Sequence, residues 1–451
     1  MKLIEYISWN DDIMIERPLA QWSGTNFVTD ATWGDNGKGK IVDLMAQRAD
    51  MVIRINGGPN AGHTVVNPQG EFALHLMPSG IFNPEAICVL SDTVVINPFT
   101  LTEEIKAVRQ AGIEVNNKNL LISKNAHLIM PWQKRRDGLR EVARGGKRIG
   151  TTGQGIGPTY SDRTERVGLR VGDLLAPEFQ ERFDQELVWQ EKLTALMSGN
   201  NEVVHYDRDR ILEELKEARE MIAPMITSVI PVIWEYHSSN KSILGEAGQG
   251  VLLDLDRGGY PYVTSSHPGI AGFNLATGIP PKEVARVIAV TKAYTTRVGE
   301  GPLPTELNNE VGEMIRSKGH ERGVTTGRPR RCGWLDIPAL KYGIRVGGVD
   351  SLALTKIDIF DGFPEVAICV GYEVGGKIYD TLPDANDIEF MYQAKPILKI
   401  LRGWDNDTTS SRLFSDLPEN ARKFVKEVEE AIGRPIELVS VGPDREASIY
   451  L

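Results

Sequence analysis

The chain has 451 residues, 41% of them hydrophobic, which is ample for one large α/β domain or two smaller ones with full cores. A formal net charge of −10 and a pI near 5.4 argue against general nucleic-acid affinity. The three cysteines, Cys88, Cys332 and Cys369, are too few and too scattered for a disulfide framework or a zinc site and point to reduced thiols in a cytoplasm; no uncharged run approaches the roughly 18 apolar residues of a membrane span.

Residues 1–25 read as an N-terminal extension of unknown role. Met1 to Trp22 carries four acids and no small-residue cleavage site, so secretion is not expected. A single domain over 26–451 opens with a strand, Phe27 to Thr32. Gly34-Asp-Asn-Gly-Lys-Gly-Lys40 follows, three glycines and two lysines in seven positions. Glycines let backbone N–H groups converge on an anion, the next helix adds the positive end of its dipole, and the lysines supply point charge. Ile41, Val42, Leu44 and Met45 share one face at helical spacing and predict that helix. The spacing fits the first part of a phosphate-loop pattern, but Ile41 stands where Ser or Thr would hold magnesium. The metal then needs other ligands, and Asp35 is the candidate, since magnesium prefers carboxylate and phosphate oxygen.

Met51 to Ile55 reads as the next strand, followed by a second Gly-rich loop, Gly57-Gly-Pro-Asn-Ala-Gly-His63-Thr64. In an open parallel sheet both loops lie at one edge and can close on one ligand. His63, flanked by small residues, is not expected to be buried by its immediate neighbours and suits proton exchange near neutral pH. Further apolar runs alternate with amphipathic segments: Ile87 to Leu90, Leu120 to Ser123, Val251 to Leu255, Val287 to Val290, Leu352 to Thr355, Val366 to Val370 and Ile436 to Val441. This predicts an α/β fold, a large mostly parallel central sheet with helices on both faces. The charged stretch 177–240 reads as a helical insertion packed on that sheet.

Ser351 to Thr355 leads into Thr355-Lys356-Ile357-Asp358. A carboxylate there accepts both the ring N–H and the amino group of guanine, two parallel bonds that adenine cannot make, so the pair of loops suggests GTP.

Together these residues resemble the adenylosuccinate synthetase family, GTP-dependent ligases that join inosine monophosphate (IMP) to L-aspartate. The blocks that carry the likeness run in order from about Phe27 to the C-terminus. Besides Trp33–Lys40 and Gly57–Thr64 they are Ile149–Pro158, Gly168–Asp173, Tyr260–Ser266, Thr296–Gly299, Gly301–Glu306, Val324–Asp336, Thr355–Asp358 and Gly442–Arg445.

The resemblance implies that Asp35 is the base that removes the purine N1 proton and also binds Mg2+, with the Gly62 carbonyl as a further ligand. His63 is similar to the acid that stabilises charge on O6, and Lys38 would neutralise the moving phosphoryl group. Asn60, Thr152, Gln249, Thr264, Val298 and Arg328 match positions around IMP. Arg166 matches an arginine that reaches the partner subunit's substrate phosphate in a homodimer. Val324, Thr325, Thr326, Gly327 and Arg328 resemble the loop that closes on aspartate, and Arg330 a contact to aspartate or the GTP ribose. Gly34, Asn36, Gly37, Lys38, Gly39, Lys40, Gly62, His63 and Thr64 would line the GTP phosphates; Lys356, Asp358, Ser440 and Gly442 would form the guanine pocket.

The chemistry asks for these types independently. Phosphorylating O6 turns a poor leaving group into phosphate, and taking the N1 proton makes O6 the nucleophile, so a base is needed at one edge of the ring and an acid or cation at the other. Arg328, Arg330 and Arg331 suit the two carboxylates of aspartate. Departures from the family pattern are Asn36 where Glu is usual, Asp30 where a small residue is expected, Pro59 where His or Asn is common, Gln154 for a frequent Arg, and Ala247-Gly248 for Gly-Ala before Gln249. Two other readings stay open: a GTP-regulated switch, and a same-fold ligase acting on a guanine nucleotide or a deoxynucleotide. A carboxylate at N1 leaves little room beside C2 and favours a 6-oxopurine without a 2-amino group.

Overall fold

The structure, a computed structural model, describes residues 22–199, 204–323 and 327–451. A ten-stranded sheet forms its centre. Across the sheet run Ser448–Tyr450, Ile436–Ser440, Ser351–Thr355, Arg286–Lys292, Thr25–Asp30, Ile243–Glu246, Met51–Arg54, Ile87–Leu90, Leu120–Ser123 and Ile226–Thr227. Every neighbouring pair is parallel except the last antiparallel hairpin of Ile436–Ser440 with Ser448–Tyr450.

Alternation along the strands feeds a core on each face. Phe27, Met51, Ile53, Leu352 and Leu354 point into one cluster, while Val28, Val52 and Ala353 point into the other. Helix Lys38–Ala46 lays Ile41, Val42 and Met45 on the second cluster. Each large apolar side chain so buried stabilises the fold by about 1.5–3 kcal/mol. Helix Pro98–Gln110 shows how local sequence starts an element. The Asn97 side chain accepts from the N–H groups of Phe99 and Thr100, Pro98 takes the first turn, and Leu101, Ile105 and Val108 form the buried stripe.

Several elements differ from the sequence expectation. Val251–Leu253 is a 3₁₀ turn, not a strand; the strand is Ile243–Glu246, which the Gly245-Glu246 pair conceals. Val366–Val370 lies inside a long strand, Phe363–Val374, of a second sheet of five strands. There it pairs antiparallel with Lys395–Trp404. The insertion is helical over Phe179–Ser198, Arg208–Ile222 and Val229–Ser238, but it also gives the central sheet its edge strand Ile226–Thr227. Of the N-terminal extension, residues 1–21 lie outside the described residues.

Candidate active site

A cavity of about 950 Å³ opens at the carboxyl ends of the parallel strands, where an open α/β sheet binds its ligands. It is lined by Gly34, Asp35, Gly37, Lys38, Gly39 and Lys40 from the first loop and by Asn60, Gly62, His63 and Thr64 from the second. Thr152, Gln249, Thr264, Val298, Arg330, Lys356, Asp358, Ser440 and Gly442 complete the wall. Asn36, Arg166, Gly327 and Arg328 do not line it. Arg328 donates to the carbonyls of Gly150 (2.8 Å) and Thr151 (3.2 Å) at the rim, and Arg166 is exposed at the end of helix Ile156–Glu165. Val324, Thr325 and Thr326 lie outside the described residues. Arg140 and Arg144, one helical turn apart, line the cavity as well and were not singled out from the sequence.

The first loop folds back on the end of its strand. Asp35 holds a left-handed backbone (φ 59°), a conformation costly for a non-glycine residue and one that recurs at functional sites. Its carboxylate lies 3.3 Å from Arg330 Nε. Gly39 admits the second loop, since a Cβ there would come within 2.9 Å of the His63 Cβ. The lysines are not free point charges. Lys38 Nζ reaches Asp30 Oδ2 at 3.3 Å. Lys40 Nζ donates to Ser440 Oγ (2.7 Å) and to the carbonyls of Gly442 (2.8 Å) and Ala447 (2.7 Å), tying the phosphate loop to the wall expected for guanine. Burial pushes the Lys40 amine down to about 7.

His63 is buried, against the expectation from its small neighbours, because distant elements close over it: Arg54, Glu246 and the hairpin His63–Asn67 with Gly70–Leu74. Its Nδ1 faces the Glu246 carboxylate, which also accepts from Ser79 N–H (2.9 Å) and Ser79 Oγ (2.8 Å). That contact fixes Nδ1 as the protonated nitrogen and leaves Nε2 for the cavity. Burial and the Arg54 guanidinium, opposed by Glu246, hold the imidazole down at about 4. The ring is therefore neutral near pH 7.

On the opposite wall, Asp358 Oδ1 is a buried acceptor without a partner among the described residues, and burial raises its carboxyl. Gln249 Nε2 and Thr264 Oγ1 are likewise buried polar atoms without a hydrogen-bond partner among the described residues, and both residues line the cavity. Glu321, fully buried, gathers Lys292 Nζ (2.9 Å), Lys356 Nζ (2.9 Å) and the Arg330 guanidinium (2.6 Å). Burial would raise this carboxyl, but the three cations outweigh it and hold it well below the usual range. Arg331, expected beside the aspartate carboxylates, pairs with the Glu306 carboxylate and the Gly301 carbonyl, as Arg330 pairs with Glu321 and Arg328 with the rim carbonyls. Glu246, Glu321 and Lys292 were missed from the sequence; an acid at a strand end followed by Ala-Gly-Gln was a local signal for Glu246, but Glu321 carried none.

The adenylosuccinate synthetase family profile matches residues 27–449 of this chain. The chain belongs to the adenylosuccinate synthetase family. It is 46% identical over 427 residues to an adenylosuccinate synthetase of Halothermothrix orenii, covering 94% of this chain and 98% of that protein. It is 44% identical over 425 residues to the one from Caldanaerobacter subterraneus subsp. tengcongensis, with the same coverage. A fully ligated adenylosuccinate synthetase from Plasmodium falciparum superposes with a TM-score of 0.89 at 35% identity, over 95% of this chain and all of that one. A cyanophage S-2L succinoaminodeoxyadenylate synthetase, bound to dGMP and dATP, shares the fold at a TM-score of 0.60 and 18% identity over 95% of each chain. Adenylosuccinate synthetases are GTP-hydrolysing carbon–nitrogen ligases, and membership does not favour the switch reading. No described helix is long and apolar enough to cross a membrane.

Proposed function

We propose that this member of the family joins L-aspartate to IMP through a 6-phosphoryl intermediate, with Asp35 and His63 as its proton-handling pair. One observation carries the assignment of roles: the partly exposed Asp35 carboxylate on the phosphate loop and the buried His63 ring on the second loop line one cavity. Asp35 takes the N1 proton, O6 attacks the γ-phosphorus of GTP, and the bond to GDP breaks. The amine of aspartate then adds at C6, phosphate leaves, and the amine proton is lost. Glu246 accepts from Nδ1–H and holds the imidazole, so that Nε2, once protonated from solvent as the GTP phosphates bind, donates to O6 as charge grows there. Lys38 follows the phosphoryl group, and Arg330, placed between Asp35 and Glu321, is the guanidinium available to aspartate or the GTP ribose.

The Asp35 carboxylate and the Gly62 carbonyl are hard oxygen donors on the same cavity, a set that fits magnesium once phosphate oxygens join it. The Asp35 carboxylate makes an ion pair with Arg330 that lacks hydrogen-bond geometry at Nε. Bound there, magnesium would neutralise charge on the GTP phosphates. The reading includes a homodimer with Arg166 acting in trans and a cytoplasmic setting, the latter supported by three buried free thiols.

The test is phosphate release from GTP with IMP, GMP or dGMP, each with and without aspartate. Turnover requiring both IMP and aspartate is expected, and turnover with dGMP alone would redirect the substrate. Asp35→Ala should lower kcat by ~10²- to 10⁴-fold while a fluorescent GDP analogue still binds; kcat within ~10-fold of the parent would remove Asp35 as the base.

A further inference from the structure

Asp30 closes the first strand with a fully buried carboxylate, which is unfavourable unless saturated with donors. Here it is saturated. Oδ1 accepts from the N–H groups of Thr32 (3.0 Å) and Gly34 (3.1 Å) and from the Asn36 amide (2.9 Å); Oδ2 accepts from the Asn36 N–H (3.2 Å) and Lys38 Nζ (3.3 Å). The backbone donors of Gly34 and Asn36 thus point beneath the loop and away from the cavity, while the first N–H groups of helix Lys38–Ala46 stay unpaired within the helix and available to phosphate. Asn36 also donates to Thr32 Oγ1 at 2.8 Å, so the amide is clamped between two acceptors and only 1% exposed.

We propose that Asp30 is the positioning residue of the phosphate loop, an internal anion that sets the loop's curvature and parks Lys38 before GTP arrives. The proposal rests on the GTP reading of the cavity. It also makes one change of two unusual residues. An acid at position 36 would set a second buried carboxylate against Asp30, whereas an amide there completes its donor set.

The test combines titration with a fluorescent GDP analogue and steady-state kinetics. Asp30→Asn keeps the shape but turns donor against donor. It should weaken GDP by ~30-fold or more and raise KM for GTP in step, with KM for IMP within ~3-fold of the parent. Asp30→Gly and Asn36→Glu should each weaken GDP by ~10-fold or more, and the double variant should bind within ~3-fold of the parent. Rescue keeps the test sound even where a single variant folds poorly, and melting temperatures identify such a case. A double variant no tighter than the better single variant, or Asp30→Asn with GDP affinity unchanged, overturns the proposal. A parent that binds no GDP overturns the GTP reading instead.

Discussion

At the scale of single residues, unpartnered buried atoms define what the cavity lacks. Asp358 Oδ1 is a buried acceptor without a donor among the described residues, and Asp358 lines the cavity, which supports the proposed role in accepting from guanine. Asp358→Asn offers an amide donor to a 2-oxo group instead, so KM for GTP should rise by about 10- to 100-fold, matching the about 1.5–3 kcal/mol of a charge-assisted bond, while xanthosine triphosphate gains. Full preference for GTP in the variant would place the base elsewhere. His63 gives a second residue-scale expectation. Its folded pKa of about 4 lies below the ordinary value of 6.5, so between these pH values the unfolded chain takes up a proton that the folded chain refuses. Stability present above pH ~6.5 is therefore lost as pH falls towards ~4, by on the order of 3 kcal/mol. Urea unfolding at several pH values should show a shallower acid-side slope for His63→Gln than for the parent, and equal slopes would contradict a neutral buried ring.

Elements turn those residues into one site, and they also show how far the sequence could be read. Ile87–Leu90 and Leu120–Ser123 were legible as runs of apolar residues, because parallel strands are buried on both faces. Ile243–Glu246 was not, since its Glu serves His63 and its Gly245 lies where a Cβ would meet Phe273 at 2.6 Å. Local pattern marks Glu246 before Ala-Gly-Gln but carries no trace of the distant His63 and Phe273 that this strand packs with. The same limit applies to Lys40: glycine spacing revealed the loop, but only the folded chain brings the C-terminal segment against its amine. Lys40 links helix Lys38–Ala46 to the turn after Ile436–Ser440, and Arg445 repeats the link through Asp43 at 2.6 and 2.7 Å. Lys40→Met, which keeps length and loses the donor, should loosen the guanine wall. KM for GTP should rise about 10-fold, with kcat within ~3-fold of the parent. A fall of ~10²-fold in kcat at unchanged KM would make Lys40 a ligand of the moving phosphoryl group.

At the scale of the whole molecule, Arg166 is one of the expected site residues that do not line the cavity. Helix Ile156–Glu165 begins at the cavity with Gly157 and Pro158, and its ten residues carry the chain ~15 Å away before Arg166 ends it in a left-handed cap, exposed. A guanidinium held outward at that distance suits a phosphate in a neighbouring copy. Arg166→Leu should then raise KM for IMP by about 10- to 100-fold, the worth of one charge-assisted contact. Mixing decides whose site it serves. In a dimer of one Arg166→Leu subunit and one Asp35→Ala subunit, a trans arginine passes from the Asp35→Ala subunit to the site that still has its Asp35, and one site per mixed dimer regains the parent's KM. If the arginine serves its own subunit, each site keeps a single defect and nothing is regained. Activity at low IMP in verified mixed dimers is therefore the expected result, and its absence would confine each site to one chain.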